Sequence, residues 1–147
     1  MGRTREGSIT GLLTVLTDGD DGDDPVADAL RGLLDGHIHL STELAQTGHY
    51  PAIDILGSLS RLMPRLATAE HQHCARHLRE LLGSYREGRD LVDVGAYSRG
   101  MNPKLDEALD RMPAIEALLR QDADDPTPFH ETVEVLGLVA GAMEAAQ

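Results

Sequence analysis

The sequence has no tryptophan, one phenylalanine and three tyrosines. A core built with so few rings must be filled by Leu, Ala, Val and Ile, which favours helices. Cys74 is the only cysteine. No disulfide can therefore close within the chain, and a reducing cytoplasm is its simplest setting. No N-terminal apolar stretch reads as a signal peptide or a membrane span, so direct membrane insertion is not expected. Positive charge is also scarce: 13 Lys and Arg face 25 Asp and Glu, a formal charge of −12. Nucleic acid phosphates and anionic lipid surfaces would be repelled, and neither is expected as a direct partner. What remains is 147 residues, 41% of them apolar, enough to bury a domain-sized core.

Along the chain, Ser8–Leu16 (SITGLLTVL) is a short apolar run with β-branched residues, the pattern of a strand buried on both faces. Thr17–Asp24 (TDGDDGDD) cannot pack in a core and is expected to be an exposed loop. Asp24 and Pro25 then predict a capped helix start, with Val26, Ala29, Leu30, Leu33 and Leu34 on one face and Gly36 as the stop. Residues 36–63 are irregular: GHIHLS reads as extended, STELAQTG as about two helical turns, and YPAIDILGSLSRLM as mixed. After Pro64 the pattern turns helical. Thr68 caps a helix with Cys74, Ala75, Leu78, Leu81, Leu82 and Tyr85 inward, and apolar content continues past Gly88. Asn102 and Pro103 open another helix, which Pro113 should interrupt or kink, and a last helix runs from Pro128 with Val133, Leu136 and Ala140 inward. One strand, an irregular region and a bundle of four or five helices are therefore expected.

Several stretches in order, namely GSITGLLTVL, DDPVADALRGLLDGHIHLS, ELAQTGHYPAIDILGSLSRLMP, VGAYSRGMNPKLDEAL and EALLRQ, resemble the end of the catalytic subunits of flagellar and type III secretion ATPases, relatives of the F- and V-type rotary enzymes. GHYPAID followed by SLSR is the most specific part, because a helix bundle does not need that sequence for stability. The resemblance implies a mainly α chain in two parts: residues 1–63 as the end of a RecA-like α/β nucleotide-binding core, and 64–147 as a helical C-terminal domain. It also implies ATP and Mg²⁺ as cofactors of the complete enzyme. Phosphoryl transfer needs a glycine-rich loop with its Lys and Ser or Thr. No G-x-x-x-x-G-K-[ST] occurs in this chain, so it is not expected to hydrolyse ATP alone.

By resemblance, Arg61 in SLSR matches the arginine finger that reaches into a neighbouring subunit's nucleotide site, where a planar, permanently charged fork can stabilise charge on the γ-phosphate. From the residue alone, a solvated arginine or a structural ion pair is the alternative. Tyr50 in GHYPAID matches an aromatic placed against the adenine; its alternative is a half-buried ring packed beside Pro51. Two positions depart from the family pattern: Leu118 stands where Phe is usual, and Thr42 where Arg is usual. The implied partners are neighbouring ATPase subunits in a homo-oligomeric ring, usually a hexamer, together with export chaperone–substrate complexes or a stalk protein. The matched segments do not separate flagellar from injectisome service. A free-standing, non-catalytic interaction module derived from such an ATPase is the alternative.

Two constellations invite metal and are set aside. Glu70, His73, Cys74 and His77 share a helix face, but Cys74 also lies on the apolar stripe and no second ligand motif supports zinc. Asp18, Asp20, Asp23 and Asp24 cluster like a calcium loop but fail its spacing. No metal ligand is assigned.

Overall fold

The computed structural model describes residues 2–17 and 24–141. They belong to two compact units, Met1–Leu34 and Asp35–Gln147.

In the first unit, β1 (Gly2–Arg3) and β2 (Ser8–Ile9) form a minimal antiparallel hairpin, with Gly2 opposite Ile9 and Arg3 opposite Ser8. The expected buried strand is therefore two residues long. A strand covered on both faces needs neighbours, and the hairpin supplies only two residue pairs, so Leu12 and Leu16 remain 93% and 92% exposed. Helix α1 (Pro25–Leu33) begins as expected: the Asp24 carboxylate accepts from the backbone N–H of Val26 at 2.8 Å and of Ala27 at 3.3 Å. Asp18, Asp20 and Asp23 lie outside the described residues. The helix stops at Leu33 with Leu34 as its cap, so Gly36 is not its terminator.

The second unit starts with β3 (Gly36–Leu40), the short helix α2 (Thr42–Gln46) and β4 (Ile53–Ser60). The two strands pair antiparallel, so the irregular region carries a hairpin rather than loops alone. One turn of helix, α3 (Met63–Leu66), leads into α4 (Ala69–Asp93), α5 (Pro103–Leu119) and α6 (Phe129–Val139). Thr68 and Asn102 cap α4 and α5 as read. These three long helices, not four or five, make the bundle: the break expected at Pro113 does not occur, and α4 runs unbroken through Gly88. Gly88 stays inside α4, where an added Cβ would lie 2.3 Å from Cδ2 of Leu105, so the missing side chain is what lets α5 approach. Pro113 stays inside α5, on its exposed side.

Leu78, Leu81, Ala108, Ile115 and Val139 form the core, with Ile55 of β4 and Leu118 packed against it. The hairpin is thereby fixed to the bundle at Ile55, in the middle of β4.

Candidate functional site

The β3–β4 pairing is interrupted. Gly36 faces Ser60 and His37 faces Leu59, but the next pairs are His39 with Asp54 and Leu40 with Ile53. Ile55, Leu56, Gly57 and Ser58 thus stand opposite the single residue Ile38, a bulge that frees their carbonyls from the ladder. Carbonyls that leave the ladder take other donors. Arg79 of α4 donates to three of them, Ile55 O, Leu56 O and Ser58 O, the last two at 3.2 Å. His37 Nε2 donates to the fourth, Gly57 O, at 2.9 Å. That contact requires the proton on Nε2, and Nδ1 of His37 is buried without a hydrogen-bond partner.

Asp54 closes the other side of the bulge. Its Oδ1 accepts from the N–H of Leu56 and from the Arg86 guanidinium, both at 2.9 Å. Burial raises its pKa, but the Gly57 N–H, the Arg86 guanidinium and the Leu56 N–H outweigh this and hold the carboxyl below its ordinary 3.8. A depressed folded-state pKa adds stability above the unfolded value and loses it as the pH falls. Asp54→Asn is therefore expected to lower stability at pH 7 by about 1.5–3 kcal/mol, the usual worth of hydrogen bonds to a charged group. Comparing denaturation midpoints across pH checks this: the gap from wild type should close as the pH drops below 3.8 through the native pKa.

Arg61 leaves β4 directly after Ser60, with an exposed side chain and its backbone N–H bonded to Asp35 O at 2.8 Å. The strand pair is tight here: a Cβ on Gly36 would lie 2.5 Å from Leu59 O. That close approach is the reason for the glycine. Gly36→Ala should force the strands apart beside Arg61 and destabilise by about 1–3 kcal/mol, the common cost of overpacking, readable in a thermal melt.

Tyr50 lies beyond the other end of β4, before a cis peptide to Pro51, and the residue is 58% exposed. Its carbonyl accepts from Gln121 N–H at 3.0 Å, and the neighbouring buried His49 meets Arg120 Nε through Nδ1 at 3.5 Å. The end of α5 thus packs on the GHYP turn, bringing EALLRQ and GHYPAID together. Leu118 turns into the core, and Thr42 is the exposed first residue of α2. Tyr50 precedes β4 and Arg61 follows it, so the length of the strand lies between the two. Arg79, Arg86 and His49 were missed by the sequence reading. The seven-residue spacing of Arg79 and Arg86 places both on one helix face, a signal that was there to be used.

The metal candidates face elsewhere. Cys74 is on the buried face of α4, and His77 Nε2 meets Glu107 of α5 at 3.2 Å. Among the described residues, no group of three or more His, Cys, Asp or Glu side chains could hold a metal ion, and no helix is long and apolar enough to cross a membrane.

Residues 1–60 match the ATP synthase alpha/beta family nucleotide-binding domain, and residues 67–137 match the T3SS EscN ATPase C-terminal domain. The flagellum-specific ATP synthase of Salmonella typhimurium is 48% identical over 133 residues, covering 90% of this chain and 29% of the relative. The type 3 secretion system ATPase of Pseudomonas syringae pv. tomato is 46% identical over 135 residues, 92% of this chain and 30% of the relative. The assembled ATPase EscN of enteropathogenic E. coli superposes with a TM-score of 0.87 at 38% identity over 91% of this chain and 32% of that one. EscN in complex with its central stalk EscO gives 0.85 at 36% identity over 95% of this chain and 33% of that one. The chain spans about 30% of the length of these curated relatives. With a nucleotide-binding-domain match leading into a secretion-ATPase C-terminal match, the chain belongs to the family of flagellum-specific and type III secretion ATPases.

Proposed function

We propose that this chain is the far-side contributor to nucleotide sites in a cytoplasmic ring ATPase that energises flagellar or type III protein export. The observation that carries the reading is Arg61: an exposed guanidinium in the SLSR motif, at the end of a strand braced on both sides. Such a group can reach out of its own subunit and meet the γ-phosphate of a nucleotide held next door. ATP and Mg²⁺ belong to the complete enzyme, held by a phosphate-binding loop that this sequence does not contain. Water attacks the γ-phosphate there, ADP leaves, and Arg61 offsets the charge that gathers on the transferred group.

Tyr50 supplies an exposed ring at the opposite end of β4, which suits an adenine in its own subunit while Arg61 serves the neighbour's. In the full-length enzyme, Tyr50→Ala is expected to raise KM for ATP about threefold to tenfold with kcat kept, from the loss of about 0.5–1.5 kcal/mol of aromatic contact. Tyr50→Phe should behave as wild type in the same assay.

We place the boundary between the two domains at Met63 and Pro64, a reading supported by the two family matches, which end at 60 and begin at 67. The helical domain is the proposed partner-binding part, for a stalk protein or chaperone–substrate complexes. The EscN–EscO complex supports the stalk. Exposed apolar side chains after α4, among them Val94 and Met101, give such a partner something to cover. As a free-standing module the chain would leave Leu12 and Leu16 in water, which disfavours that alternative.

Subunit mixing tests the reading. Arg61→Ala subunits, which keep a phosphate loop, are combined with subunits whose phosphate-loop lysine is removed but whose Arg61 is intact. A finger acting across the interface restores turnover in mixed rings that neither parent shows. Mixed rings as inactive as both parents would reject it.

A further inference from the structure

We propose that Arg79 is a positioning residue for Arg61, holding the β4 bulge in the one conformation that aims the strand end at the neighbouring nucleotide. The inference rests on the reading of Arg61 as the finger. It begins from the four carbonyls that the bulge frees, Ile55, Leu56, Gly57 and Ser58, all of which are claimed by side chains from outside β4. Arg79 alone takes three. Its Nη1 donates to Ile55 O and Ser58 O, and its Nη2 donates to Leu56 O.

Only a fork does this. Carbonyls of successive residues in a regular strand point to opposite sides, so one group can collect Ile55 O and Leu56 O only where the strand is bulged. The contact is therefore specific for the bulged form. A guanidinium can use two hydrogens of one terminal nitrogen and one of the other in a fixed plane; an ammonium is a point and cannot straddle the same set. The hairpin has two further anchors, Ile55 in the core and Arg86 on Asp54, and the Arg79 contacts lie at the surface, where water can take the place of the lost donors. What the clamp adds is a defined path from Ser58 to Arg61, three residues on.

The phase of that path decides catalysis. Straightening the bulge would slide Ser60 past Gly36 and turn Arg61 toward another direction, since a one-residue slip in register reverses the face of every side chain after it. A misplacement of about 1 Å in a catalytic group costs on the order of 10²-fold in rate. Loss of the clamp should then act on kcat, through a finger that is present but badly aimed. Nucleotide affinity should be spared, because Arg79 touches the strand and not the phosphate-binding loop.

The experiment is a double-mutant cycle in the full-length ring enzyme, with steady-state ATP turnover and thermal midpoint read on each variant. Arg79→Gln is expected to lower kcat roughly tenfold to a hundredfold, with KM for ATP within about twofold and the midpoint close to wild type. Arg79→Lys, which keeps the charge and one donor direction, should recover part of that loss. In the Arg61→Ala background, Arg79→Gln should cost nothing further, since a missing finger cannot be misaimed. An equal loss in both backgrounds overturns the proposal, as does a fall in activity that follows a fall in the midpoint. If both Arg79 variants fail to fold, the clamp is a folding determinant and positioning is rejected. Unchanged turnover in Arg61→Ala alone instead removes the finger reading, and this inference with it.

Discussion

Replacing Ile115 with alanine is expected to lower the stability of the helical bundle by about 2–5 kcal/mol, the range for an Ile→Ala truncation in a close-packed interior. Ile115 is fully buried on α5 and belongs to the same core as Leu78 and Leu81 of α4, Ala108 of its own helix and Val139 of α6. Removing its three outer carbons forfeits their transfer from water and leaves a void between three helices that cannot all move at once. Helices α4, α5 and α6 have few aromatic side chains with which to refill it, since the chain's one phenylalanine, Phe129, is 75% exposed. Urea unfolding checks this through a lower midpoint at unchanged slope. Val94→Ala is the comparison: this residue is 75% exposed, and its loss should cost no more than about 0.5 kcal/mol. Equal effects at the two positions would show that the bundle does not supply the stability assigned to it.

The bundle was largely legible because its signals are local. Asp24, Thr68 and Asn102 each announce a helix by offering an oxygen to N–H groups two or three residues on, and each does so in the structure. The stripe of Cys74, Leu78 and Leu81 needs only helical spacing to be read. Misreadings arose where a distant residue decides the local outcome. Gly88 looks like a weak point in a helix until Leu105 is seen against it. Gly36 looks like a helix stop until the Leu59 carbonyl is seen where its Cβ would be. Ser8–Leu16 has the composition of a buried strand but only the pairing of Ser8 and Ile9, because burial of a strand depends on neighbours and not on its own residues.

The site shows the same division. GHYPAID and SLSR were recognisable as text, and Arg61 and Tyr50 followed from the match. What makes that text irregular is the bulge between Asp54 and Leu59, with donors from Arg79 and Arg86, more than twenty residues away on another element. No local pattern in IDILGSLS states that its carbonyls leave the ladder. Arg79 and Arg86, seven residues apart on one helix, give no local sign that they are used on strand carbonyls and on Asp54.

Arg61→Ala in the full-length ring enzyme is expected to lower ATP turnover by about 10³- to 10⁵-fold, the worth of an arginine finger in other phosphoryl-transfer enzymes. Two features favour so large an effect on kcat alone. The side chain is exposed at a strand end, so truncating it opens no cavity and should leave the thermal midpoint within about 0.5 kcal/mol of stability of the wild type. Its backbone N–H to Asp35 O survives the substitution, so the strand end keeps its place. Arg61→Lys should recover little, because an ammonium lacks the planar fork that meets two phosphoryl oxygens together. ATP binding, read by equilibrium titration with a fluorescent analogue, should change less than about threefold, since a group acting on the transition state contributes little to the ground state. A loss of binding that accounts for the loss of turnover would assign Arg61 to holding nucleotide. Turnover within a few fold of wild type would leave it a surface arginine, and the SLSR motif would then need a structural explanation in the strand end it closes.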